Sequence, residues 1–304
     1  MNKKVNNNVS YEDVLVFLKE ITSIPDETKV IYQYTNIEAL FNGIIVKAPN
    51  KIDEDICLWA SHYKYLNDPS EIVIGLKYFE EILNYFIEKE NNETKIDSID
   101  DADYFITSFS TTIDSLPMWN MYGKNGTGIA LGFDSDIIHK KNNESFLYKC
   151  VYLDKEIRDK ITYFCESYKG EKIKECNLKM ILLVIFGVVL YSLFKDEKPT
   201  KEFMADNIMP FWQFMSFAKN AAYKYENEVR LLIQPDKESE IKYRCQNNLI
   251  IPYMENFFPR KALKEIWVGP TNDMGRTEKS LKTYLDYMGF SDVEIKQSEV
   301  PYRI

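Results

Sequence analysis

In the segment YKYENEVRLLI, residues 223 to 233, two glutamates precede an apolar run. The run of Val, Leu and Ile predicts a buried β-strand. Because side chains alternate between the two faces of a strand, Glu226 and Glu228 are expected to project from the same face. Two carboxylates this close repel each other, and such a pair suits a site that stabilises positive charge or moves a proton. The alternative interpretation is an exposed strand edge, where both glutamates meet only water.

Further strand and helix patterns lie on both sides of this stretch. Segments rich in β-branched and aromatic residues predict strands at 30–35, 56–61, 104–110, 126–134, 241–246, 248–253, 263–270 and 293–304. Apolar residues at helical spacing, with caps such as Asn36 and Gly123, predict helices at 11–21, 36–45, 71–89, 115–123 and 276–288. Strand and helix do not alternate with the regularity of parallel crossovers, so the sequence predicts an α+β protein.

Residues 155 to 222 have an almost entirely helical pattern, which predicts a helical insertion within a single domain spanning residues 1–304. This block contains MILLVIFGVVLYSLF, the apolar run at 180–194. A membrane span needs about 20 apolar residues, so a buried helix is the preferred interpretation and membrane association is the alternative. Residues 1–25 are expected to form an N-terminal helical cap.

The composition narrows the classes of function. With 304 residues, 45% of them hydrophobic, the chain can bury a substantial core. A net charge of -9 argues against a general polyanion binder, although it allows a local basic groove. The five cysteines form no C-x-x-C pair and follow no secretory signal, so a cytoplasmic location is expected. The two histidines exclude a histidine-rich metal site, and the sequence has no P-loop, H-E-x-x-H or G-x-S-x-G motif.

Several segments together resemble the bacterial domain-of-unknown-function 2971 (DUF2971) family. They are YQYTNIEALFNGII, LWAS followed by LNDPSE, FITSFSTTIDSLPMWNMYGKNGTGIALGF, YENEVRLL, and LKEIWVGP with VEIKQSEVPYRI. The resemblance covers most of the chain apart from the N-terminal helix and the helical block. It is most specific in the W-x-x-Y segment and in the strand with the two glutamates.

That family is similar in turn to the ADP-ribosyltransferase-like group of proteins. The resemblance implies a split, mostly antiparallel β core. It also implies three dispersed site elements, namely a His or Arg on the first strand, an aromatic or serine-bearing strand, and a glutamate on a later strand. The matching positions are Gln33 with Tyr34 and Thr35, then either Trp59 and Ser61 or Ser108 and Ser110, and finally Glu226 with Glu228. Which of the two serine-bearing strands is the counterpart stays open.

The cofactor implied by this resemblance is NAD. Breaking the bond between nicotinamide and ribose builds an oxocarbenium-like cation, so a carboxylate beside the ribose hydroxyl stabilises the transition state. Glu228 is the candidate for this role, and Glu226 is the candidate for orienting the nucleophile. Trp119 or Tyr122 could hold the nicotinamide ring by stacking. Gln33 could hydrogen-bond an amide or a ribose hydroxyl.

Ordinary structural roles compete with these assignments. Trp119 and Tyr122 are three residues apart and also suit the core-facing side of a short helix. Arg230, two residues beyond Glu228, could pair with it, which would make the strand structural rather than catalytic. Gln33 replaces the histidine that the resemblance leads us to expect, and an amide cannot carry charge. The rival function is therefore a non-catalytic binding module that has kept the fold and lost the cofactor chemistry.

The resemblance implies an NAD-dependent ADP-ribosyltransferase-like enzyme or an NAD glycohydrolase. By analogy alone, such a protein could serve as a bacterial toxin or a phage-defence effector. The expected partners are NAD or a related nucleotide, together with a protein or nucleic-acid acceptor.

Overall fold

The computed structural model describes residues 22–25, 27–46, 55–68, 74–75, 104–140, 145–155, 159, 217–235, 238–246 and 248–302. The chain divides into two compact units. One consists of Ile24–Pro69, Asp100–Lys149 and Ala222–Ile304, and the other of Met1–Ser23, Ser70–Ile99 and Cys150–Ala221. The predicted helix at 11–21, the apolar run at 180–194, and nearly all of the predicted helix at 71–89, the cap and the helical block lie outside the described residues, so they stay predictions.

The described strands agree with most of the strands predicted from sequence. They are β1 (Val30–Thr35), β2 (Ile56–His62), β3 (Phe105–Ser110), β4 (Ile129–Asp134), β5 (Ser145–Lys149), β6 (Val151–Tyr152), β7 (Ala218–Lys219), β8 (Glu228–Ile233), β9 (Lys242–Gln246), β10 (Leu249–Phe258), β11 (Leu263–Val268) and β12 (Glu294–Gln297). The sequence does not predict the short strands β5, β6 and β7. Strand β7 lies within the segment 155–222, so the prediction of helix is wrong at that end of the block. In the second unit, β6 and β7 pair in parallel.

The helices of the first unit are short, with one exception. They are α1 (Ile37–Ala39), α2 (Leu116–Met121), α3 (Ser135–Lys140) and α4 (Met274–Met288). Asn36 caps α1 as predicted, since its side chain accepts a hydrogen bond from the backbone N–H of Ala39 at 2.8 Å. A π-helical turn over Leu40–Ile44 follows α1 within the predicted helix at 36–45. Among the described residues, no helix is long and apolar enough to cross a membrane.

The first unit is built on one large sheet, and ten of the described strands belong to it. Eight of them follow the order β12-β11-β4-β1-β3-β2-β10-β9, while β8 pairs with β3 and β5 pairs with β8. The pairings are antiparallel except for β11 with β12, which is parallel. The prediction of an α+β protein with a mostly antiparallel sheet is therefore confirmed.

The sheet divides into two branches at β3. One edge of β3 pairs with β8 along its whole length, from Phe105 to Ser110. The other edge is shared: Ser110 pairs with Tyr32 of β1, whereas Ile106 pairs with Ser61 of β2. The branch beginning with β1 continues through β4, β11 and β12, and the branch beginning with β2 continues through β10 and β9. The end of β3 at Ser110 therefore lies between β1 and β8, whereas β2 pairs with the beginning of β3.

The apolar face of the sheet carries the main core. The apolar face is the face on which Ile31, Leu131 and Val229 lie, and all three side chains are fully buried. Helix α4 buries Leu281 and Leu285 in the same cluster, so it packs on this face. Burying apolar side chains of this kind stabilises the fold by roughly 1.5–3 kcal/mol each.

The opposite face, here called the polar face, carries the side chains that concern function. Tyr32, Ser110 and Glu228 lie side by side on it, because the registers of β1, β3 and β8 align them. The same alternation places Arg230 of β8 and Ser61 of β2 on this face. Tyr32, Ser61, Ser110, Glu228 and Arg230 thus share one side of the sheet.

A carboxylate links the outer strands on the polar face through hydrogen bonds. Glu265 of β11 accepts hydrogen bonds from Tyr32 at 2.9 Å, from Trp267 at 2.8 Å and from Lys296 of β12. Burial alone would raise the pKa of Glu265, but these three donors outweigh burial and lower the pKa below its ordinary value of 4.5. The carboxylate therefore stays charged and links three strands.

Candidate functional site

A turn separates the two glutamates of the opening stretch. Glu226 ends a 3-10 helix over Ala221–Glu226, and Asn227 adopts a left-handed backbone with φ of 42°. The strand β8 begins only at Glu228. The prediction that both side chains project from one strand is therefore wrong. Both residues are buried, with 3% and 4% of their surface exposed, so the exposed-edge interpretation is excluded as well.

Glu228 is held by Arg230 in a two-point ion pair. Arg230 Nε donates to Glu228 Oε1 at 2.9 Å, and Arg230 Nη2 donates to Glu228 Oε2 at 2.9 Å. The two residues share a face because they are two positions apart on β8. Arg230 has no exposed surface, so this carboxylate stabilises its charge in place of water. The alternative that Arg230 pairs with Glu228 is confirmed.

Glu226 stands at the inner end of a hydrogen-bonded series that leads to the surface. Tyr122 Oη donates to Glu226 Oε1 at 2.6 Å, and Asn67 Nδ2 donates to Tyr122 Oη at 3.1 Å. Tyr122 is half-buried and Asn67 is exposed. A buried carboxylate is thereby connected to solvent through two neutral side chains. Sequence analysis did not identify Asn67 as a site residue.

Ser110 fixes the backbone that carries the two glutamates. Its Oγ lies 2.6 Å from the carbonyl oxygen of Glu226 and 3.2 Å from that of Thr112, and it accepts a hydrogen bond from the Thr112 N–H at 3.0 Å. The N–H of Thr111 donates to the carbonyl oxygen of Asn227 at 2.9 Å. Ser110 is also paired in register with Glu228, and Ser108 with Arg230. The end of β3 therefore positions both carboxylates.

Trp119 and Tyr34 form the interior support of this region. Trp119 is fully buried, its Nε1 donates to Asp114 Oδ1 at 2.8 Å, and its ring meets Tyr34 edge-on at 4.9 Å between centroids. Tyr34 Oη accepts from the Ser115 N–H at 3.2 Å, and burial raises the pKa of Tyr34 to about 12. Both aromatic rings are occupied by these contacts, so the core interpretation of Trp119 agrees with its position better than ring stacking with a ligand.

Gln33 and Thr35 lie on the apolar face. Gln33 pairs in register with Leu131, and Thr35 with Ile129, both of which belong to the main core. Gln33 and Thr35 are half-buried. The structure therefore does not bring Gln33 to the same face as Glu228, because one step along a strand reverses the direction of the side chain.

Trp59 and Ser61 belong to the other branch of the sheet. Trp59 packs against Tyr253 of β10 with 4.5 Å between ring centroids, and Arg244 Nη2 of β9 donates to Ser61 Oγ at 2.9 Å. Of the two serine-bearing strands that the sequence left open, β3 is the one that lies beside the glutamates. Sequence analysis did not identify Arg244 or Tyr253, because they reach Trp59 only through strand pairing.

The structure thus gathers five of the predicted residues at the end of β3, namely Glu226, Glu228, Ser108, Ser110 and Tyr122. Glu228 contributes to a locally neutral pair with Arg230, whereas Glu226 is hydrogen-bonded to a phenol. Among the described residues, no group of three His, Cys, Asp or Glu side chains could hold a metal ion. The chemistry that this arrangement offers is that of carboxylates supported by hydroxyl groups.

Fold and site together define an α+β protein with a mostly antiparallel sheet and two buried carboxylates at the branch point of that sheet. A family model described as "Protein of unknown function (DUF2971)" matches residues 118–231. This match supports the predicted resemblance over a segment that includes β4, β5, Glu226 and Glu228. It also runs through residues 155–222, which the predicted resemblance left out. No curated protein and no solved structure matches the chain.

Proposed function

We propose that the chain cleaves the bond between nicotinamide and ribose in NAD, acting as an ADP-ribosyltransferase-like enzyme or an NAD glycohydrolase. The observation that carries the proposal is the buried carboxylate of Glu226, joined through Tyr122 to the exposed Asn67. An oxocarbenium-like cation is best stabilised by a carboxylate in a site shielded from water. Glu226 is shielded in this way and is also connected to the surface from which a substrate arrives.

The sequence suggests that Glu228 stabilises the ribose cation, but the contacts of Glu228 favour Glu226 for that role. A carboxylate that already accepts two hydrogen bonds from a guanidinium has its charge compensated. In the proposal, Glu226 therefore lies beside the ribose, and the pair of Glu228 with Arg230 is a positioning element. Ser110 contributes to that positioning, because its hydroxyl contacts the backbone of Glu226.

Tyr122 and Asn67 have supporting roles in the proposal. The phenol of Tyr122 fixes the orientation of the Glu226 carboxylate through the 2.6 Å hydrogen bond. Asn67 presents an amide at the surface end of the series, where it suits a hydroxyl or amide group of a substrate. The acceptor of ADP-ribose, whether protein, nucleic acid or water, is reached from this exposed end. A role as a toxin or phage-defence effector belongs to the same proposal and rests on resemblance alone.

The test is nicotinamide release from NAD by the purified full-length chain. Glu226→Gln keeps the volume and one hydrogen-bonding oxygen but removes the charge, so kcat should fall about 100-fold or more. The KM for NAD should change far less. Tyr122→Phe removes only the hydroxyl group and should lower kcat by about 10-fold, because the carboxylate loses its orienting donor.

Glu255→Gln is the matched control, since it makes the same chemical change at a carboxylate paired with Lys242 on another strand. Its kcat should equal that of the wild-type chain. Melting curves for all variants show whether a loss of activity follows a loss of fold. Wild-type turnover in a folded Glu226→Gln protein would refute the assignment of Glu226. Failure of the folded wild-type protein to release nicotinamide from NAD at millimolar concentration would refute the enzyme.

A non-catalytic binding module is the second candidate function. The observation that favours it is the ion pair of Glu228 with Arg230, which is buried and internally compensated as a structural element would be. This candidate predicts that both glutamate variants lower the melting temperature and that no variant changes NAD turnover selectively. Measuring both quantities on the same samples separates the two functions.

A further inference from the structure

A second polar site lies on the branch of the sheet formed by β2, β10 and β9. Arg244 of β9 lies over two aromatic rings, with its guanidinium carbon 5.5 Å from the ring of Trp59 and 5.8 Å from the ring of Tyr253. Its Nη2 donates to Ser61 Oγ at 2.9 Å. These contacts hold a planar cation in a defined orientation on the polar face.

The guanidinium of Arg244 has an unused hydrogen-bond donor. Its Nε is buried and has no hydrogen-bond partner among the described residues. A buried donor without a partner is costly, so the Nε of Arg244 would gain free energy by donating to a bound acceptor. Burial also lowers the pKa of Arg244. No ion pair with a carboxylate is found for Arg244 in the described part of the chain, unlike its neighbour Lys242, which pairs with Glu255 at 2.8 Å.

Arg230 in the same sheet shows what the Nε and Nη2 edge of a guanidinium can bind. Its Nε and Nη2 together take both oxygens of the Glu228 carboxylate at 2.9 Å. In Arg244 the same two nitrogens meet one hydroxyl group and nothing else in the described residues. The comparison indicates that the Nε and Nη2 edge of Arg244 is shaped for two oxygens of an anion.

The surroundings add a flat hydrophobic surface to this anion site. Trp59 remains 39% exposed although it packs against Tyr253. The charge of Glu255, which lies opposite Trp59 in the register of β2 and β10, is compensated by Lys242. Within the described residues, an anion near Arg244 therefore meets one cation without a paired carboxylate, one hydroxyl group and the exposed part of an indole ring.

We propose that Arg244, Ser61 and Trp59 bind the phosphate group of an organic phosphate whose planar ring packs on the indole, as in a nucleoside monophosphate. Two phosphate oxygens accept from Nε and Nη2 of Arg244, and the Ser61 hydroxyl turns to donate to the same group. The ring of the ligand covers the exposed part of Trp59. The site is separate from the series of Glu226, Tyr122 and Asn67 and needs no bond cleavage.

The measurement is calorimetry on the full-length chain with AMP as the probe. Inorganic phosphate and adenosine, the two halves of AMP, are measured for comparison. We expect AMP to bind at least 10-fold more tightly than either half. Arg244→Lys should weaken AMP binding by about 10-fold or more, because an ammonium cannot offer two parallel donors. Trp59→Leu should reduce the affinity for AMP to that for phosphate alone, and Ser61→Ala should weaken both.

Lys264→Met is the matched control. It removes one positive charge from β11, a strand of the other branch, at a lysine that is paired with Asp134. AMP affinity should stay within about twofold of wild type if the site is specific. Because Arg244→Lys keeps the positive charge, a loss in Lys264→Met as large as that in Arg244→Lys would show a general effect of charge and would overturn the inference. Unchanged AMP binding in either a folded Arg244→Lys protein or a folded Ser61→Ala protein, or no AMP binding by the wild-type chain, would do the same. AMP has no nicotinamide bond, so these outcomes are independent of the proposed NAD cleavage.

Discussion

The buried pair of Glu228 and Arg230 allows a sharp test of the structure. Glu228→Gln keeps the size of the side chain but removes the negative charge that faces Arg230. The guanidinium has no exposed surface, so water cannot replace the lost carboxylate. Two unit charges about 4 Å apart attract by about 4 kcal/mol at an effective dielectric constant of about 20. Removing one partner of a buried pair typically costs about 3–5 kcal/mol of unfolding free energy.

The measurement is urea unfolding followed by tryptophan fluorescence, with the wild-type chain and Glu228→Gln compared at the same pH. We expect the unfolding free energy of the variant to fall by about 3–5 kcal/mol. Glu255→Gln is the control for the substitution itself. Its partner Lys242 is 34% exposed, and a pair of this kind contributes under about 1 kcal/mol. The contrast between the two variants isolates the effect of burial.

A paired substitution completes this test. Replacing Glu228 by Leu and Arg230 by Met removes both charges and leaves apolar side chains of similar volume. Buried ion pairs can be replaced in this way at little cost, so the double variant should be more stable than Glu228→Gln. A loss below about 1 kcal/mol in Glu228→Gln, equal to that of Glu255→Gln, would contradict the buried ion pair. In that case Glu228 would regain its place as the candidate catalytic carboxylate.

Two further predictions concern the frame of the sheet. Because the pKa of Glu265 is lowered in the folded chain, its stabilisation is complete above the ordinary carboxyl pKa of 4.5 and is lost as the pH falls through the lowered value. The difference in unfolding free energy between wild type and Glu265→Gln should therefore be largest near pH 7 and should shrink below pH 4.5, as measured by urea unfolding across pH. Gly128→Ala should destabilise the chain by about 1–3 kcal/mol, because its Cβ would lie 2.2 Å from the backbone oxygen of Thr35. Gly275→Ala, whose Cβ would meet nothing closer than 3.7 Å, should be neutral or stabilising in thermal unfolding.

Most of the sheet was predictable because its strands are long and apolar. The pattern of Val, Ile, Tyr and Phe in β1, β3 and β8 repeats the burial that the structure shows. The strand β5 was missed because its five residues, SFLYK, directly follow a polar stretch and carry little periodicity. Branching at β3 could not be predicted from local pattern, since it depends on which strands pair rather than on where strands lie.

The predicted geometry of the two glutamates is wrong because of a single residue between them. Asn227 lies between them and adopts the left-handed conformation that Asn tolerates better than most residues. An Asn flanked by two polar residues before an apolar run is a turn signal, and it was available in the sequence. Treating the pair as part of one strand overlooked this signal. Strand β8 begins at Glu228, two residues after Glu226, so the two carboxylates do not lie on one strand.

The partners of the functional side chains were beyond sequence reasoning for a different reason. The hydrogen bond from Tyr122 to Glu226 joins residues 104 positions apart, and that from Arg244 to Ser61 joins residues 183 positions apart. No local spacing encodes such contacts. Only the contact of Glu228 with Arg230 could be anticipated, because residues two apart on one strand share a face.

The two arginines of the polar face differ in what the fold supplies to them. Arg230 lies on the central strand β8, where no surface is exposed, and the chain provides its carboxylate from two residues away. Arg244 lies on β9, the last strand of its branch, where an exposed indole adjoins it and a donor is left without a partner in the described residues. A fully buried cation needs an anion from the protein itself. A cation near the surface is partly solvated, so its anionic partner can be a ligand. The same side chain therefore serves stability at the centre of the sheet and recognition at its edge, and the two roles are distinguished by the effect of a Lys substitution on unfolding and on AMP binding.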